Sequence, residues 1–91
     1  MARFTITRPH SMSIEAVRAS AEALAEELAA DYGLRARWDG DRVSLRGSGV
    51  EGSMDIGESE LVLKVKLGLL ASAFERPLKQ AMNNYLDEHV N

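Results

Sequence analysis

Residues 34–67, LRARWDGDRVSLRGSGVEGSMDIGESELVLKVKL, decide the fold. Leu34, Ala36 and Trp38 alternate with Arg35, Arg37 and Asp39, and Asp39-Gly40 follows as a tight-hairpin pair. Val43 and Leu45 then alternate with Arg42, Ser44 and Arg46 up to Gly47-Ser48-Gly49. Val50, Gly52, Met54 and Ile56 alternate with Glu51, Ser53 and Asp55, and Gly57-Glu58-Ser59 turns the chain again. Leu61, Leu63, Val65 and Leu67 alternate with Val62, Lys64 and Lys66. A two-residue period held through four runs separated by short turns predicts an antiparallel meander with one apolar and one polar face.

Upstream, Phe4 and Ile6 sit in an alternating run from Arg3 to Thr7, a fifth short strand that ends at Pro9 because proline has no ladder donor. Between it and the meander, Ile14, Val17, Ala21, Leu24, Leu28 and Tyr32 fall on one helical stripe, with Glu15, Arg18, Glu22 and Glu26 opposite. Ser13 is the expected N-cap, Met12 and Val17 stand where a hydrophobic staple would put them, and Gly33 is the expected stop. Downstream, Leu70, Phe74, Leu78, Ala81, Met82, Tyr85 and Leu86 form the apolar face of a second helix. Pro77 either kinks that helix or lies near its start; the reading adopted is a short first turn, a bend, and a main helix to about His89. The expectation is one α+β domain over residues 1–91, ordered β-α-β-β-β-β-α, with a single antiparallel sheet and both helices packed on one face.

Composition narrows the function. The chain has 91 residues, 45% of them hydrophobic, a net charge of −3 and no cysteine. A domain of this size buries roughly 60–65% of its unfolded surface, so its stability is modest. Without cysteine there is no disulfide, no thiolate nucleophile and no cysteine-held zinc or iron–sulfur centre. The amino terminus has no apolar core of a secretory signal, and the most apolar run, Leu61 to Leu70, is short and broken by Lys64 and Lys66. A cytoplasmic protein without a membrane span is expected, and the acidic balance argues against nucleic acid as the main partner.

No catalytic pattern emerges, and no enzyme activity or cofactor is expected. Gly47-Ser48-Gly49-Val50-Glu51-Gly52 matches the dinucleotide fingerprint in letters, but a strand follows it rather than a helix. The serines suit caps, turns and exposed positions, and Asp55, Glu58 and Glu60 lack the spacing of a calcium loop. His10 and His89 are too few for a metal set without cysteine; His10, with Arg8, is the candidate polar functional pair.

The face of the sheet away from the helices offers more. Strand parity places Arg3, Arg35, Arg37, Arg42, Arg46, Lys64 and Lys66 there, against Asp39, Glu51 and Asp55, while the first helix is acidic. Such a face serves either an anionic partner or simply solubility. The candidate binding residues are Arg8, His10, Arg35, Arg37, Arg42, Arg46, Lys64 and Lys66. Trp38 and Phe4 take the buried parity, which removes the aromatic platform that single-stranded nucleic acid needs. Val62 on the polar face, or Val50 to Ile56 as an edge strand, would be the place for a homodimer contact.

Five segments in order carry a resemblance: Ile6-Thr7-Arg8-Pro9-His10 before the long helix, Tyr32-Gly33-Leu34 after it, Trp38-Asp39-Gly40-Asp41 at the hairpin, Gly49-Val50-Glu51-Gly52, and Leu67-Gly68-Leu69-Leu70 before the last helix. Together they resemble the polyhydroxyalkanoic acid system protein family of small bacterial proteins. The resemblance implies an accessory role in polyhydroxyalkanoate storage, with proteins of that system or the granule surface as partners. No catalytic residue is carried over with it. A second reading is a small-ligand domain holding an acyl or hydroxyacyl chain between sheet and helices, with Gly52 and Ala36 leaving room on the inner face.

Overall fold

A computed structural model of the protein describes residues 2–47 and 49–90. Ser48, the middle of the expected second turn, lies outside the described residues. The elements are β1 (Ala2–Pro9), α1 (Ile14–Tyr32), β2 (Arg35–Asp39), β3 (Arg42–Gly47), β4 (Val50–Ile56), β5 (Glu60–Leu67), a 3₁₀ turn (Ala71–Phe74) and α2 (Glu75–His89). The five strands form one antiparallel sheet in the order β1-β5-β4-β3-β2. The meander thus runs through neighbours, and β1 closes it by pairing with β5.

Both helices cover one face. Phe4, Ile6, Val43, Leu45, Val50, Met54, Leu61, Leu63, Val65 and Leu67 are buried there with Val17, Ala21, Leu24, Ala25 and Leu28 of α1 and Leu78, Met82 and Leu86 of α2. α1 lies over β2, β3 and β4, and α2 lies over β1. The two helices run antiparallel: Ser20 Oγ–H donates to the His89 carbonyl at one end, and Leu24 to Tyr32 faces Ala81 to Glu88 beyond it.

Local chemistry sets the boundaries of α1. Ser13 Oγ accepts from the Ala16 N–H at 3.1 Å, and Gly33 takes φ 65°, a left-handed stop that lets Leu34 N–H reach the Ala29 carbonyl. Met12 packs against the core beside this start, as a staple residue should. Gly40, at φ 61°, makes the hairpin between β2 and β3. In α2, Pro77 is the third residue of the helix, inside the first turn, where the missing N–H costs no helical bond. The short turn, the restart and the end at His89 match the expected form of this region.

Five expectations change, the first being that Ala81 of α2 is exposed rather than part of its buried face. Leu70 and Phe74 are exposed rather than part of the α2 face, because the 3₁₀ turn has about 3.0 residues per turn and α2 begins only at Glu75. The 100° phase read backward from Leu78 therefore does not extend to them. Ile14, in the first turn of α1, is also exposed. Ala36 is exposed because β2 is an edge strand and a methyl group there does not reach α1. Val50–Ile56 is not an edge: β4 lies between β3 and β5, and the edges are β1 and β2.

The space between sheet and helices holds only about 10 Å³, lined by Leu28, Leu34, Leu45, Met54, Leu63 and Met82 among others. One water at most fits there, whereas a ligand pocket runs to roughly 300–1,000 Å³. The apolar side chains that would line an acyl site are consumed as core.

Candidate functional site

The open face of the sheet is a grid fixed by strand register. Its first row reads Arg3, Lys66, Glu51, Arg46, Arg35 from β1 to β2. The second reads Thr5, Lys64, Ser53, Ser44, Arg37. The third reads Thr7, Val62, Asp55, Arg42, Asp39. The first row lies at the end of the sheet where β5 leaves for α2, and the third lies toward His10 and the β4–β5 turn.

The rows differ in sign. Four cations and one carboxylate make the first row, two cations and three hydroxyls the second, and one cation with two carboxylates the third. Directly opposite residues in the first row include two like-charged pairs, Arg3 with Lys66 and Arg35 with Arg46. Like charges at directly opposed positions destabilise a sheet. A face selected only for solubility would mix its signs there, as the third row does.

The described ion pairs divide the cations in the same way. Arg42 Nε lies 3.4 Å from Asp55 Oδ1, and Arg18 reaches both Glu22 and Asp41. Arg3, Arg35, Arg37, Arg46, Lys64 and Lys66 have no ion pair among the described residues. Arg3, Lys66, Lys64 and Arg46, with Thr5, Ser44 and Ser53, line a shallow open trough of about 410 Å³ across β1, β5, β4 and β3. Cations and hydroxyls at a rigid sheet surface are the donors an anionic group requires.

Of the sequence candidates, six converge on this face: Arg35, Arg37, Arg42, Arg46, Lys64 and Lys66. Arg3, assigned there by parity, lies with them. Arg42 differs in being paired with Asp55. Arg8 and His10 lie elsewhere. Arg8 shares the helix-side parity of β1, and its guanidinium bonds Asp87 and Asn83 of α2, the latter at 3.0 Å. It straps the last helix to the edge strand. His10 is buried; its Nε2 lies 2.8 Å from the Gly57 carbonyl and its Nδ1 accepts from the Met12 N–H at 3.2 Å. Both ring nitrogens are thereby committed, with the proton on Nε2, to holding the chain after β1 against the β4–β5 turn. His10 N–H also donates to the Ser59 carbonyl at 2.9 Å.

Val62, the apolar residue on the open face, is half-buried between Thr7 and Asp55 and forms no patch. Trp38 faces the helix side, half-buried, with the Arg18 guanidinium 4.8 Å above its ring. Among the described residues, no group of three or more histidines and carboxylates is placed to hold a metal ion, and no helix is long and apolar enough to cross a membrane.

Sequence reasoning missed Leu69, Leu70 and Phe74. They stand exposed where β5 passes into α2, beside the first row of the grid. The available signal was Gly68 closing the strand and two consecutive leucines before the break at Pro77.

The family model described as putative polyhydroxyalkanoic acid system protein matches residues 4–90. No curated protein and no solved structure matches the chain. With nearly the whole chain matched, the protein belongs to that family.

Proposed function

We propose that this member of the polyhydroxyalkanoic acid system family is a non-enzymatic accessory protein of the bacterial polyester storage system, working in the cytoplasm by docking on the granule surface. The observation that carries the reading is the first row of the open face. Four cations gather in one row, two pairs of them directly opposed, and none has an ion pair among the described residues. That arrangement costs the isolated fold stability and is relieved by an anionic surface laid across it. The family supplies the setting. The second reading, an acyl ligand between sheet and helices, finds no support in a core with about 10 Å³ of free space.

The test is a fluorescent fusion in polyester-accumulating cells, compared with a variant carrying Arg3→Glu, Arg35→Glu and Lys66→Glu. The wild type should mark the granules and the variant should be diffuse. Diffuse wild-type signal, indifferent to granule number, would overturn the reading. Retention of the reversed variant on granules would move the contact away from the open face.

A further inference from the structure

We propose that the turn over residues 68–74 is an insertion prong, which seats Leu69, Leu70 and Phe74 in the apolar layer of an anionic lipid surface. The proposal rests on the granule-surface reading and names the chemistry of the surface met. Leu69 is 78% exposed, Leu70 93% and Phe74 53%, at one end of a molecule in which, among the described residues, the other large apolar side chains apart from a marginal Ile14 are at least partly covered. Exposure that high on consecutive leucines means a convex projection. Exposed apolar side chains of this kind mark contact with a protein or a membrane, and the charges around them decide which.

The prong is built. Gly68 N–H donates to the Gly49 carbonyl at 2.7 Å, Ala71 N–H to the Gly68 carbonyl at 3.1 Å, and Ser72 Oγ–H to the Leu69 carbonyl at 2.8 Å. Ala71 is buried beneath it as an anchor. The two leucines are therefore held outward by a hydrogen-bonded turn.

The surroundings select the surface. Lys66 lies four residues before Leu70 and pairs across the sheet with Arg3; Arg76 follows Phe74 by two residues, and Lys79 stands 5.9 Å over the Phe4 ring next to Arg3. Arg46 and Arg35 continue the same row. The acids at this end are Glu51, Glu75 and Asp31, so cations prevail. Apolar side chains at the tip with cations around the base match an apolar layer under anionic headgroups. A second copy meeting this end tip to tip would set Lys66, Arg3 and Arg76 against the same residues, which disfavours a homodimer through the prong.

Flotation with vesicles tests it, using the full chain and two lipid compositions: phosphatidylcholine with phosphatidylglycerol, and phosphatidylcholine alone. The protein should float with the first and not with the second. Leu70→Asp should lower partitioning by about tenfold or more, and Lys66→Glu by about fivefold or more at low salt. Circular dichroism should show both variants folded, since both side chains are solvent-exposed. Absence of flotation with the anionic vesicles, or unchanged flotation of folded Leu70→Asp, overturns the prong. So does a dimer in sedimentation that Leu70→Asp dissolves while vesicles are ignored. The two readings fail separately. Granule marking by a Leu69→Asp, Leu70→Asp fusion at wild-type level sinks the prong and leaves the docking reading; vesicle binding without granule marking does the reverse.

Discussion

The two ends of the sheet are built to opposite rules. At the end holding the β4–β5 turn, polar groups are committed to the fold: Arg8 to Asp87 and Asn83, His10 to Gly57 and Met12, Arg18 to Asp41, Arg42 to Asp55. At the end where β5 leaves for α2, Arg3, Arg35, Arg46 and Lys66 stand without ion pairs among the described residues, and Leu69 and Leu70 project into solvent. The same residue types are used at both ends. The difference teaches that charge count alone does not mark a working surface; what marks it is whether the protein itself answers the charge. The largest test of the contrast is apolar. Leu61, opposite Arg8, is fully buried at the knitted end, so Leu61→Ala should cost about 2–5 kcal/mol in urea unfolding. Leu70→Ala should change stability by no more than about 0.5 kcal/mol, as a substitution of an exposed side chain. Equal losses would mean that the prong is structural and the contrast false.

A smaller effect sharpens the contrast through sign. Arg35 faces Arg46 across β2 and β3, whereas Arg42 faces Asp55 and Asp39. Arg35→Glu replaces a repulsive pair by an attractive one and should stabilise by about 0.2–1 kcal/mol; Arg42→Glu should destabilise by a similar amount. Paired urea curves at low and high salt read both, and salt should shrink the two effects together. If Arg35→Glu destabilised the fold, the first row would owe its cations to packing, and the case for an anionic partner would weaken at its source.

These contrasts were unevenly legible in the sequence. The two-residue period of residues 34–67 shows four of the five strands, and the alternating run from Arg3 to Thr7 shows β1, with the face of nearly every side chain, because register in a sheet with one buried face is tightly specified. Ser13 and Gly33 bounded α1 by local chemistry that needs no tertiary context. Strand order needed more: β1 pairs with β5 across more than fifty residues, and nothing local says so. Hence β4 was open to reading as an edge although it is central. The basic face followed from parity, but its division into an answered and an unanswered end depends on which residues oppose each other. The sequence offers Arg8 with His10 as a candidate polar pair, yet Arg8 turns to the helix side, where Asn83 and Asp87 wait some eighty residues away. Leu69, Leu70 and Phe74 were hidden by periodicity itself: a helical stripe extended backward through a 3₁₀ turn assigns exposed residues to the core.

The helix layer spans both ends and offers the smallest test, one that asks whether charge is felt between its two members. Tyr85 of α2 has its phenol pushed above the ordinary value of about 10, first by burial and second by the carboxylate of Glu27 on α1. Both causes disfavour phenolate. Because the folded protein holds this proton to higher pH than the unfolded chain, Tyr85 contributes stability that is present below the ordinary phenol pKa. That contribution is lost as pH rises through the raised value. Glu27→Gln removes the second cause and keeps the first. The Tyr85 midpoint, read at 295 nm against a Tyr85→Phe control that leaves Tyr32, should therefore fall partway toward the ordinary value. The high-pH loss of stability should begin at the same pH, which the unfolded chain sets, but end earlier and be smaller. A midpoint that ignores Glu27→Gln would show that the helices meet by packing alone, and that unanswered charge matters in this molecule only on the open face of the sheet.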